Sequence, residues 1–169
     1  LLIPIMLMTL SAGFAVAGDK PSYTIQVRQS GTDRLQVNIQ FEEPGLAQQD
    51  GYTLASYEQA QLTVDRNGAV VPVITRLVPF PHRNARLIVG GSEFSTTPVK
   101  DYLIQDQAGN SHVLAELTYQ GLYRDIPMHA LRIYPVSVNP EAQILTWLKS
   151  LELEVIPVST ELPDGAAVK

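Results

Sequence analysis

The feature that most constrains this chain is a two-residue alternation of apolar and polar side chains. It begins at Tyr23 and returns in short runs almost to the end of the sequence. Tyr23, Ile25 and Val27 are interleaved with Thr24, Gln26 and Arg28, and Leu35, Val37, Ile39 and Phe41 with Gln36, Asn38 and Gln40. Successive side chains of a strand point to opposite faces, so this period builds strands with one dry and one wet face. Ser30 to Asp33 supplies turn residues between the two runs, which therefore read as a hairpin.

The same reading predicts a strand pair from Leu62 to Val64 and from Val70 to Val78. Asn67-Gly68 in the turn between them suits a tight bend with positive φ. Pro72 lacks a backbone N–H and belongs at an edge or a bulge. Leu46 to Ser56 is polar and weakly patterned and is read as a loop. Arg86 to Val89 reads as a short strand stopped by Gly90-Gly91, and Ser92 to His112 as the least regular stretch. Val113 to Tyr119 is a strand. Met128 to Val138 is extended, with a phase shift at Pro135 that calls for a bulge or a strand changing sheets. After a turn at Asn139-Pro140, Ile144 to Leu148 and Leu151 to Ile156 are expected to form the last pair. Leu151, Leu153 and Val155 would face inward there, with Glu152 and Glu154 outward. No window keeps the i, i+3, i+4 apolar spacing of an amphipathic helix. The expected fold is all-β, an antiparallel β-sandwich preceded by a signal peptide.

That signal is read from Leu1 to Ala17, which carries no charge and closes on the small-x-small triplet Ala15-Val16-Ala17. Pro4 and Gly13 interrupt the stretch, and it falls short of the roughly 20 residues a spanning helix needs. Cleavage is expected between Ala17 and Gly18, in a signal whose own start is missing. The predicted organisation is a signal peptide at 1–17, a β-sandwich at 18–157 and a small, polar linker at 158–169 leading toward a downstream domain. Export to the periplasm or cell surface follows, with no membrane association once the signal is removed. Export permits disulfides, yet the chain has no cysteine, so burial of apolar surface must stabilise it.

Chemistry is sparse. The net charge is −5 with no basic run, which argues against a nucleic-acid partner. Without cysteine there is no thiolate nucleophile. Gly90-Gly91-Ser92-Glu93-Phe94 lacks the closing glycine of a serine nucleophile elbow, and Ser92 reads as a loop residue after a strand end. His82, His112 and His129 have no metal-ligand spacing and read as isolated surface or edge histidines, so no metal and no cofactor are expected. Glu152 and Glu154 share a face that alternation marks as solvated. No catalytic residues are assigned, and the chain by itself is not expected to be an enzyme.

Two segments carry a family likeness. Gly68 to Pro81 (GAVVPVITRLVPFP) resembles the G-x-P-x-L-P-V-x-S-R-x-x-x-x-P stretch in the propeptide of gingipain-type cysteine peptidases, with Val71 in place of Leu and Thr75 in place of Ser. Gly121 to Asp125, then Leu131 to Pro140 and Leu151 to Val155, resemble that propeptide's R-G … Y-P-V-x-Y-N-P … L-x-V-x-V end. Asp125 replaces the usual Gly after Arg124, and Val138 the aromatic before Asn139-Pro140. The likeness runs from about Tyr23 to Ile156, and its motifs belong to the scaffold.

The resemblance implies a β-sandwich that precedes a caspase-like cysteine peptidase domain, helps it to fold and keeps it latent until cut away. The partner would be that catalytic domain, in cis. Founding members of the family cleave after Arg or Lys, so a basic side chain on a propeptide loop could fill the specificity pocket through a charge-assisted pair. Lys100, in the Ser95 to Asp101 stretch, is the first candidate. Arg83 and Arg86 come second. Arg76 and Arg132 alternate with apolar residues and are expected to be outward-facing scaffold, and Trp147 core or sandwich rim. The competing reading is a non-catalytic binding or adhesion module of a secreted protein. A histidine-based metal enzyme is the remote third.

Overall fold

The computed structural model describes residues 22–106 and 113–158. The expected signal peptide, its Ala17–Gly18 cleavage point, the linker from 159 onward and His112 lie outside them. Among the described residues the order is β1 (Tyr23–Gln29), β2 (Leu35–Phe41), β3 (Gly45–Gln49), β4 (Tyr52–Ser56), β5 (Gln61–Val64) and β6 (Val70–Pro79). There follow β7 (Ala85–Pro98), β8 (Ala115–Tyr123), β9 (Ile126–Ile133), β10 (Val136–Asn139) and β11 (Ile144–Pro157). The chain is all-β, as the alternation requires.

The first sheet is organised around β11. On one side β11 pairs with β7 along its whole length; on the other it pairs with β10 at its start and with β2 beyond, and β1 closes that edge. The second sheet runs β5-β6-β9-β8, all antiparallel. The two sheets share one core: Val37, Ile39, Leu151 and Val155 from the first meet Ile74, Val78, Leu131 and Ile133 from the second. Their burial is the main stabilising term, about 25 cal/mol per Å² of apolar surface removed from water.

The β1–β2 hairpin pairs from Tyr23 opposite Phe41 to Gln29 opposite Leu35, with the expected face inward. The β5–β6 turn also forms as read. Asp65 Oδ1 accepts from the N–H groups of Asn67 and Ala69 at 2.8 and 2.9 Å, and Gly68 takes φ +80°. Pro72 pairs only with Leu62, because the pairing of β6 with β9 begins at Ile74, so no ladder bond is lost at its missing N–H. The phase shift at Pro135 is a change of sheet: β9 lies in the second sheet and β10 in the first.

Four expectations are corrected. The stretch from Leu46 to Ser56 is not a loop; it lies in the β3–β4 hairpin, turned by Asp50-Gly51 at φ 51° and 85°. Asp-Gly is a strong signal for such a turn, and only the polarity of β3 concealed it. Gly90-Gly91 does not stop a strand either. β7 continues to Pro98, and the pairing skips Gly90 between Val89 and Gly91, making a bulge that places both glycines against Glu152. Ser92 therefore lies inside β7, opposite Leu151, rather than in a loop. Finally, Ile144 to Leu148 and Leu151 to Ile156 are not a pair but one strand. The extra residue Lys149 forms a bulge that restores the inward phase, and Lys149-Ser150 contains nothing that would turn the chain.

Candidate functional site

Arg83 lies on the short connection from β6 to β7, and almost every residue of that connection is tied down. Phe80 is buried and donates its N–H to the Pro127 carbonyl at 3.0 Å. The His82 ring lies 2.7 Å from Asp33 Oδ1, from the turn between β1 and β2. This hydrogen bond holds the Asp33 carboxyl below its ordinary range. The Arg83 carbonyl accepts from His129 Nε2 at 3.2 Å, and the Asn84 carbonyl accepts from the Val158 N–H at 3.0 Å. The Arg83 side chain is left exposed on a fixed backbone.

Lys100 lies at the other end of β7, on an equally fixed segment. Val99 is buried and bonds to the Gln143 carbonyl at 2.8 Å. The Lys100 carbonyl accepts from Thr53 Oγ1 at 2.7 Å, and Asp101 takes φ 52°. Tyr102 is the anchor: its hydroxyl donates to the Val70 carbonyl at 2.8 Å and accepts from the Ala55 N–H at 3.2 Å. Burial pushes the Tyr102 phenol up to about 12. The expected irregular stretch from Ser95 to Asp101 thus divides, with Ser95 to Pro98 inside β7 and only the last residues turning.

Arg86 is placed differently. It stands within β7 opposite Ile156, exposed between the half-buried Ala85 and Leu87. It is a strand residue and not part of a loop. Among the described residues none of Arg83, Arg86 and Lys100 makes an ion pair, whereas Arg34 and Arg132 pair with Glu154 and Glu116. The structure does not bring the candidates together. Arg83 and Lys100 flank a 14-residue strand, which at ~3.3 Å per residue separates them by on the order of 40 Å.

Of the remaining residues, Arg76 and His129 depart from expectation, while Arg132 and Trp147 meet it. Arg76 is not outward-facing: it stands opposite the fully buried Leu131 on the core side of β6, stacked over Tyr23 at 5.5 Å and bonded to its hydroxyl at 2.7 Å. Arg132, opposite Thr75, does face out. Trp147 is buried, its Nε1–H donating to Thr97 Oγ1 at 3.3 Å. His129 is no surface histidine. It is 2% exposed between the rings of Phe80 and Tyr119, and its Nδ1 has no partner. Alternation was its signal, since His129 shares the phase of Leu131 and Ile133. Sequence reasoning also passed over Arg124. It occupies the two-residue turn between β8 and β9 with Asp125, at φ 49° and 65°, and lies 5.4 Å over the Tyr123 ring. Positive φ at both positions explains why glycine suits the place that Asp125 holds.

Among the described residues no group of three His, Cys, Asp or Glu could hold a metal ion. What the fold and its surface define is a β domain of two main sheets and the β3–β4 hairpin that holds solitary cationic side chains on tethered backbone at both ends. No family model and no curated protein matches the chain. Solved structures do. The complex of Porphyromonas gingivalis RgpB pro- and mature domains matches with a TM-score of 0.62 and 13% identity, over 80% of this chain and 85% of that one. A structure of gingipain K from the same bacterium, described for its zymogenic latency, matches with a TM-score of 0.63 and 15% identity, over 82% of this chain and 99% of that one. The motif resemblance to gingipain-type propeptides is thus accompanied by a resemblance of fold.

Proposed function

We propose that this chain is the N-terminal propeptide of an exported cysteine peptidase, acting as intramolecular chaperone and latency inhibitor of a catalytic domain joined to it in cis. The observation that carries the reading is the match of fold along most of the chain to structures whose subjects are a pro–mature domain complex and zymogenic latency. The tethered loops fit it. A basic side chain on fixed backbone enters a specificity pocket without losing loop entropy, and a backbone held off the attack geometry is not cut. Lys100 and Arg83 both meet that condition, whereas Arg86 is committed to a strand.

The test is inhibition of the peptidase domain encoded in frame beyond Lys169, expressed and activated separately, by this chain added in trans. The wild-type chain should inhibit stoichiometrically. One of the two variants Arg83→Ala and Lys100→Ala, and not both, should weaken inhibition by roughly 10–100-fold, the scale of a central charged anchor, while Arg86→Ala changes little. Full peptidase activity at every concentration of the wild-type chain would refute the reading.

A further inference from the structure

The second sheet has an outer face, and strand register fixes what it carries. Opposite one another across β8, β9 and β6 stand Glu116, Arg132 and Thr75, then Thr118, Ala130 and Leu77, then Gly121, Met128 and Pro79, and finally Tyr123 and Ile126 beside the turn. The first row is polar, with Arg132 bonded to Glu116 at 3.3 Å. The other rows form an apolar field of Leu77, Pro79, Met128, Ile126 and Tyr123. Leu77 is 63% exposed, Tyr123 61% and Ile126 48%. Outward positions on a solvated sheet are normally polar, as Thr24, Gln26, Gln36 and Gln40 are in the first sheet of this same molecule. A clustered apolar field therefore calls for something to cover it.

Two observations identify the occupant. The field lies at the end where the described chain departs: Phe80 is bonded to Pro127, four residues later Asn84 accepts from Val158, and Pro157 pairs with Ala85. Whatever follows Val158 in the same polypeptide is tethered beside this field, at high effective concentration there, and lies on the order of 40 Å from the Lys100 end. The second observation is charge. Although the whole chain carries −5, Arg124 stands beside Asp125 in the turn that borders the field and Arg83 on the connection leaving Pro79, and neither arginine is in an ion pair among the described residues. An apolar centre with Arg83 and Arg124 at its border fits a partner surface that is apolar and carries carboxylates at its margin.

We infer that the outer face of β6, β9 and β8 next to the β8–β9 turn is the surface on which the cis catalytic domain docks. This rests on the propeptide reading above. It assigns the contact to the Arg83 end of the domain and leaves Lys100 facing away from the partner.

The test uses this chain with Leu77→Glu and Ile126→Glu together, against the peptidase domain encoded in frame beyond Lys169. Both residues are exposed, so the melting temperature should stay close to wild type. Inhibition should weaken by roughly 10–100-fold, as expected for charges placed in a desolvated interface centre. Leu46→Glu on β3, exposed to a similar degree but far from the field, should inhibit like wild type. Hydrogen exchange on the complex should protect residues 122–128. If the wild-type chain fails to inhibit, or the frame encodes no peptidase, the propeptide reading falls and this inference with it. Two outcomes sink the docking face alone. One is that wild type and the double variant inhibit equally, with protection near Lys100. The other is that the isolated chain forms a dimer that the double variant dissolves, making the occupant a second copy.

Discussion

Tyr102 ties the Lys100 segment to two strands through one oxygen atom, and removing that oxygen measures how firmly the segment is held. In Tyr102→Phe the ring stays in the core, but the Val70 carbonyl loses its donor at 2.8 Å and the Ala55 N–H its acceptor at 3.2 Å. Leaving a buried polar group without its partner costs about 1–3 kcal/mol, so two groups that partly relax should cost about 2–4 kcal/mol. For a domain of this size that is a fall of about 6–12 °C in melting temperature. The phenol adds a second signature. Burial raises it from 10.0 to about 12, so above pH 10 the unfolded chain releases the proton before the folded one does. Its contribution is complete below pH 10 and is lost as pH rises through 12, an amount of roughly 3 kcal/mol at about 1.4 kcal/mol per pH unit. The phenylalanine variant has no such loss. Urea unfolding of both proteins from pH 8 to 11.5 should therefore show a gap that narrows above pH 10. Equal stability at pH 8, or a gap that keeps its size to pH 11.5, would refute the reasoning.

Three further outcomes are expected. Gly68→Ala forces a side chain into φ +80° with its Cβ driven into the Gln105 carbonyl oxygen, and should lower stability by about 2–4 kcal/mol in urea titration; a loss under about 0.5 kcal/mol would contradict the geometry. Leu151→Ala, at a fully buried position, should cost about 2–5 kcal/mol, while Leu62→Ala, 56% exposed, should stay within about 0.5 kcal/mol; similar losses would mean that the core is misplaced. The Asp33 carboxyl, held low by His82, should titrate higher in a carbon NMR titration of His82→Gln. Because its folded pKa is depressed, the contribution of Asp33 is present above about pH 3.8 and lost below it; an unmoved titration would exclude the His82 contact.

Much of this was legible in local pattern. The β1–β2 hairpin, the Asp65 to Gly68 turn, the exceptional position of Pro72 and the sheet change at Pro135 all follow from period two and turn chemistry, which act over a few residues. The errors share a different cause. Gly90-Gly91 looks like a stop because glycine weakens a strand in isolation, but β11 supplies a partner on which the chain can bulge and continue. Lys149 looks like the middle of a hairpin because the inward phase slips there, and a bulge absorbs the slip. His129 looks like a polar surface residue by type, and only its phase relative to Leu131 and Ile133 says otherwise.

The candidate basic residues divide along the same line. That Lys100 and Arg83 lie in segments of weak pattern is a property of the sequence. That both sit on backbone pinned by distant groups, Thr53 and Tyr102 for one and Asp33, His129 and Val158 for the other, is not. Local sequence by itself determined the all-β class, the inward faces and most turns, because alternation and turn propensity are decided between near neighbours. Tertiary structure alone decided which strands meet, that Lys100 and Arg83 stand at opposite ends, and that Leu77, Ile126 and Tyr123 gather into one apolar field beside the departing chain. Pairing partners far apart in sequence are chosen by the burial of a shared core, and no short window of residues contains that choice.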